Sequence, residues 1–116
     1  SYTFELNQYE REILLPMVVK QLNLRLGKQK AITNKEIVIW LRENGFKINN
    51  PRFRKIIQYI RLNDIIKNLL ACKKGYYIST NKSERELYIK SLDERVNSLN
   101  FTLSALKRQN ESTKEC

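Results

Sequence analysis

Apolar positions change their spacing several times along the chain, and each change predicts an element. Leu15, Val19, Leu22 and Leu26 recur at helical spacing and predict a helix over 7–26. Asn7 followed by Glu10 has the form of a capping box at its start, and Gly27 is a natural stop. Pro16 falls inside this stretch; without a backbone donor it must kink the helix or mark a second start. A second helix is predicted over 33–44: Thr33 and Glu36 form a T-x-x-E box, Ile37, Trp40 and Leu41 supply the buried face, and Gly45 ends it.

After the connector Phe46–Asn49, Asn50 is placed to cap a third helix with Pro51 in its first turn, where the missing N–H is harmless. Phe53, Ile56, Ile57 and Ile60 fall at i, i+3, i+4 and i+7, and the helix is expected to end near Asn63-Asp64. The pattern then shortens. Leu69–Cys72 and Tyr76–Ser79, separated by Lys73-Lys74-Gly75, predict a β-hairpin with Tyr76 and Tyr77 on opposite faces. Helical spacing returns over 83–109, opened by Ser83 and Glu86 as a capping box. Here Ile89, Leu92, Val96, Leu99, Leu103 and Leu106 alternate steps of three and four, the seam of a coiled coil.

The expected fold is therefore mainly α with a small β-hairpin: a winged helix-turn-helix in 1–82 with an N-terminal helix, followed by a long C-terminal helix in 83–116 whose last residues, 110–116, fray. A helix of ~27 residues spans about 40 Å, more than a body of ~80 residues measures across, so part of the leucine seam overhangs. Either a second copy covers it, the reading favoured here, or the helix breaks near Asn97 or Asn100 and folds back. The flanking charges Asp93, Arg95 and Lys107 do not fix the orientation of a pair.

Charge sharpens the picture. The net charge is +10, and residues 28–82 hold 13 basic against 3 acidic side chains, so the whole excess lies in one central stretch. Segregated positive charge suits a polyanion. At about 100° per residue, Lys55, Gln58 and Leu62 fall opposite the apolar stripe of the third helix, with Arg52 and Tyr59 on one shoulder and Arg54 and Arg61 on the other. Arg and Lys can pair with guanine O6/N7 and Gln with adenine N6/N7. Arg52 and Lys55, near the N-terminal end, are the expected base readers; Arg54 and Arg61 are expected to meet phosphates. Lys73 and Lys74 at the hairpin tip, and Lys35 at the start of the second helix, are further expected phosphate contacts, while Lys28, Lys30 and Lys47 add sequence-independent attraction. An ordinary solvated basic helix remains the simpler alternative for the same residues.

Several function classes fall away. The chain has no histidine, which removes His-based triads and most zinc sites. Its three glycines are isolated, so no phosphate-cradling loop exists. No enzyme, cofactor or small-molecule substrate is expected. The longest apolar run, Ile13–Val19, is interrupted by Pro16, so no membrane span is expected, and no leader pattern is visible. Two cysteines do not make a disulfide framework: Cys72 is expected as a buried thiol and Cys116 as a mobile one, in a reducing cytoplasm. Duplex DNA is the expected partner. The rivals are a protein-interaction module engaging an acidic partner, and binding of structured RNA.

The stretches T-N-K-E-I-V-I-W-L (33–41), N-P-R-F-R-K-I-I-Q-Y-I-R (50–61), K-G-Y-Y-I (74–78) and Y-I-K-S-L-D-E-R (88–95) together resemble the small winged-helix DNA-binding proteins of phages and prophages. The likeness covers roughly residues 9–109. It implies a phage-derived protein of the bacterial cytoplasm, serving as a transcriptional regulator or as a replication or recombination accessory. The connector 45–49 is longer than the tight turn of the simplest helix-turn-helix proteins.

Overall fold

The computed structural model describes residues 5–113. It is mainly helical, with one small antiparallel sheet, and divides into a unit ending at Thr80 and a second beginning at Asn81.

The first unit opens with the expected reciprocal cap: Asn7 Oδ1 accepts from the Glu10 N–H at 2.8 Å, and Glu10 Oε1 accepts from the Asn7 N–H at 2.8 Å. The helix that follows is not a continuous α-helix to residue 26. A π-helical turn, Glu10–Leu14, precedes α1, Leu15–Leu22, with Pro16 in the first turn of the restarted helix. Proline lacks the N–H that would close an α-helical bond, and the wider turn accommodates it. The extra residue in the turn rotates the apolar phase. Leu14, Val18 and Leu22 are fully buried, whereas Leu15 and Val19 are half-buried and Leu26 is exposed. The chain leaves α1 at Asn23, so Gly27 does not end the helix. It lies further on, with φ 89°, and donates its N–H to Ile78 O.

Helix α2, Asn34–Glu43, carries the complete Thr33/Glu36 capping box and stops before Gly45, whose φ is 87°. Its fully inward residues are Ile37, Val38 and Leu41; Trp40 is half-buried against the same core rather than enclosed by it. Helix α3, Asn50–Leu62, is capped by Asn49, one residue earlier than expected, with Oδ1 accepting from Arg52 N–H at 2.9 Å. Phe53, Ile56, Ile57 and Ile60 are its buried residues and join Leu14, Val18, Leu22, Ile37 and Leu41 in one core. Burial of side chains this size contributes about 1.5–3 kcal/mol each, which makes α3 the best-anchored element of the unit.

Strands β1, Leu69–Cys72, and β2, Gly75–Ile78, form the hairpin around a Lys73-Lys74 turn, with Leu70 opposite Tyr77 and Ala71 opposite Tyr76. The other edge of β2 is also paired. Ile32 and Tyr76 exchange N–H···O bonds of 3.0 and 2.8 Å, and Gly27 and Arg25 both bond to Ile78. Gly75 has φ 114°, and a Cβ there would lie 2.0 Å from Ile32 O, so this close approach admits no side chain. Tyr77 is buried, as expected of one of the pair. Tyr76 is half-buried rather than solvent-facing, edge-on to Phe53 at 5.7 Å between ring centroids. Cys72 is a half-buried free thiol; Cys116 lies outside the described residues.

The second unit is α4, Lys82–Ser112, uninterrupted at Asn97 and Asn100. Its cap is not Ser83 with Glu86: Asn81 Oδ1 accepts from Glu84 N–H at 3.0 Å, so the helix starts a residue earlier than expected and ends three later. No residue of α4 is buried. Among the described residues no helix is long and apolar enough to cross a membrane.

Candidate nucleic-acid interface

The same apolar stripe that seats α3 determines which of its side chains point outward. Pro51, Arg54 and Leu62 are exposed, Gln58 is half-buried and the Lys55 side chain keeps 36% of its surface. The Arg54 side chain has no ion pair or hydrogen bond among the described residues. This face offers cation, amide and alkyl groups side by side.

Arg52 and Lys55 occupy a different setting. Glu10, with 4% of its side chain exposed, faces both: Arg52 Nε lies 3.2 Å from Oε2, and Lys55 Nζ donates to Oε1 at 3.1 Å. Burial on its own raises the affinity of the Glu10 carboxyl for a proton. The Asn7 N–H and the two cations outweigh that effect and hold it below its ordinary value. Arg52 is fixed further, with Nη1 donating to Lys47 O at 3.0 Å and the guanidinium 5.7 Å from the Tyr9 ring centroid. Tyr9 in turn accepts from Lys47 N–H through its hydroxyl at 2.9 Å. The start of α3 and the connector before it are thus locked to the first helical turn. Arg52 is held there by several contacts, whereas Lys55 has one carboxylate contact.

Arg61 turns toward the sheet. Its Nε donates to Leu69 O at 3.0 Å, its guanidinium sits 5.9 Å from the Tyr76 ring centroid, and Nη2 is buried without a hydrogen-bond partner. Tyr59 is half-buried against the core. Lys73 and Lys74 are exposed on the hairpin turn, and Lys35 is exposed in the first turn of α2. The α3 residues thus divide into an outward pair, Arg54 and Gln58, and a tied group: Arg52 and Lys55 on Glu10, Arg61 on the sheet and Tyr59 against the core.

Two contributors escaped the reading of the sequence. In the sequence Glu10 reads only as a cap; its second role depends on a neighbour 45 residues away, which no local spacing signals. Arg42 at the end of α2 joins Lys47 and Arg52 around an open depression of about 500 Å³ over the connector. A stop glycine followed by a basic connector was the available sign, since a helix C-terminus leaves its last side chains splayed beside the next segment.

No family model, curated protein sequence or solved structure matches this chain.

Proposed function

We propose that the first unit is a winged helix-turn-helix that binds duplex DNA without acting on it chemically, with α3 as the recognition helix and the Lys73-Lys74 turn as the tip of the wing. The element order, with Ile32 pairing to β2 between α1 and α2, supports this reading. The observation that carries it is the outer face of α3. A helix anchored by four buried apolar residues presents Arg54 and Gln58 outward, with Lys55 beside them on its Glu10 contact, within the segment that holds the entire charge excess. Arg and Gln read base edges in a major groove, and lysines on the turn neutralise phosphates. Arg52 and Arg61 brace the helix. The resemblance to phage and prophage winged-helix proteins extends the proposal to a regulator, or a replication or recombination accessory, of the bacterial cytoplasm. The apolar stripe on α4 extends it to a homodimer.

Fluorescence anisotropy with labelled duplex DNA, competed by duplex RNA of equal length and repeated at two salt concentrations, tests the proposal. Each phosphate neutralised contributes about −0.9 to the log–log salt slope, so Lys35, Arg54, Lys73 and Lys74 in contact give a slope of about −3.6, with Lys55 held by Glu10. RNA should compete weakly, because α3 does not enter the narrow A-form major groove. Equal competition by RNA, or no binding at low salt, refutes it.

A further inference from the structure

On α4, Ile89, Leu92, Val96, Leu99, Leu103 and Leu106 share one stripe and are each 43–68% exposed. With Ile89 at heptad position a, the six residues fill successive a and d positions. Building on the homodimer reading above, we infer that the stripe is covered by the same stripe of a second copy running antiparallel, with Ile89 beside Leu106, Leu92 beside Leu103 and Val96 beside Leu99 of that copy.

Charge selects this arrangement. Continued toward the start of the helix, the seam reaches Arg85 at d and Lys82 at a. A parallel, in-register pair would stack Lys82 on Lys82 and Arg85 on Arg85, placing four cations at one end of the seam. The antiparallel register keeps all six apolar layers and sets Arg85 beside Asn110, and Lys82 beside Thr113, at opposite ends. The flanking e positions are Glu86, Asp93, Asn100 and Lys107. In the antiparallel register Glu86 meets Lys107 of the second copy, twice by symmetry, and Asp93 meets Asn100. In a parallel pair the facing g and e residues are Tyr88 with Asp93, Arg95 with Asn100, and Thr102 with Lys107, none of which pairs opposite charges. Glu86 has only a loose contact of 3.9 Å to Lys82 on its own helix, and Lys107 has no ion pair among the described residues. Both are free to engage a second copy. The opposed helix dipoles favour the same sense.

The experiment uses the full chain with Cys72 and Cys116 replaced by Ser and a spin label on Ser83→Cys. Sedimentation gives the mass, and pulsed dipolar spectroscopy gives the distance between labels. In the antiparallel register, Ser83 of one copy lies 29 residues along the axis from its equivalent, about 45 Å at about 1.5 Å per residue. A dimer with that separation supports the inference. A dimer with labels within about 25 Å overturns the orientation and leaves the homodimer reading standing. A monomer at tens of micromolar overturns both, and neither result touches the DNA reading. A charge swap in the unlabelled chain is the second test. Glu86→Lys or Lys107→Glu alone should raise the dimer dissociation constant about three- to tenfold, and the double variant should restore it. Failure of the double variant to restore it contradicts the register.

Discussion

Replacing Glu10 by Gln removes one charge from beneath Arg52 and Lys55 while keeping side-chain volume and an oxygen to accept from the Asn7 N–H. Two ion contacts, at 3.2 and 3.1 Å, are lost. At an effective dielectric constant near 20, each is worth about 5 kcal/mol in gross Coulomb energy. Most of that does not appear as stability. The two cations keep 32% and 36% of their side-chain surface and rehydrate, and a neutral amide no longer bears the desolvation penalty of a buried carboxylate. A net loss of about 1–2 kcal/mol is expected, in line with hydrogen bonds to charged groups. For a unit of this size that lowers Tm by roughly 5–15 °C. Trp40, the single tryptophan, sits on the first unit's core, so its fluorescence follows that unit's unfolding separately from α4. The same substitution should strengthen DNA binding, because Arg52 and Lys55 are no longer held by an internal anion. If both reach phosphates, the salt slope steepens by up to about 1.8. The pH dependence carries its own sign. A carboxyl whose proton affinity is lowered by folding adds stability above its ordinary value, and that stability is lost as pH falls through the folded value. The native chain should therefore lose stability below about pH 4 more steeply than Glu10→Gln. An unchanged Tm together with an unchanged salt slope would refute this account of the Glu10 node.

Arg54→Glu should weaken duplex binding at least tenfold with no measurable change in Tm, since Arg54 is exposed and unpaired; anisotropy and a melt on one sample check both. Lys73→Glu/Lys74→Glu should lower affinity evenly across DNA sequences, whereas Gln58→Ala should alter preference among them, which selection from a random duplex pool reports. Gly75→Ala should destabilise the first unit by at least about 2 kcal/mol, because positive φ and the Ile32 carbonyl both exclude a Cβ. Phe53→Ala should cost about 3–5 kcal/mol in denaturant unfolding.

The helices were legible where a cap and an apolar stripe agreed. Thr33 with Glu36, and Phe53 with Ile56, Ile57 and Ile60, each carry one unambiguous signal, and α2 and α3 follow them closely. The first helix was harder, because Pro16 forces a wide turn whose extra residue moves burial from Leu15 and Val19 to Leu14 and Val18. At the start of α4, two caps compete, and Asn81 with Glu84 takes the earlier turn ahead of Ser83 with Glu86; the two residue types cap about equally well, so local preference did not separate them. That earlier start adds Lys82 to Arg85 in the heptad frame, where the two bear on the orientation of a pair. The candidate site was legible as a helical wheel. The wheel places Lys55 and Gln58 opposite the stripe, yet both are half-buried, whereas Arg54 on a shoulder is exposed. What a wheel lacks is the neighbour. Arg52 and Lys55 meet Glu10, and Arg61 meets Leu69 O and Tyr76, so three cations that look available on the wheel are held within the fold.

Amide NMR of the isotope-labelled chain, titrated with duplex DNA at moderate salt, tests the central claim most directly. The account predicts that the largest shifts fall on Arg54, Lys55, Gln58 and the Lys73-Lys74 turn, with the buried face of α3 and the middle of α4 little changed. Shifts confined to α4, or spread evenly over lysines and arginines all around the first unit, would contradict it.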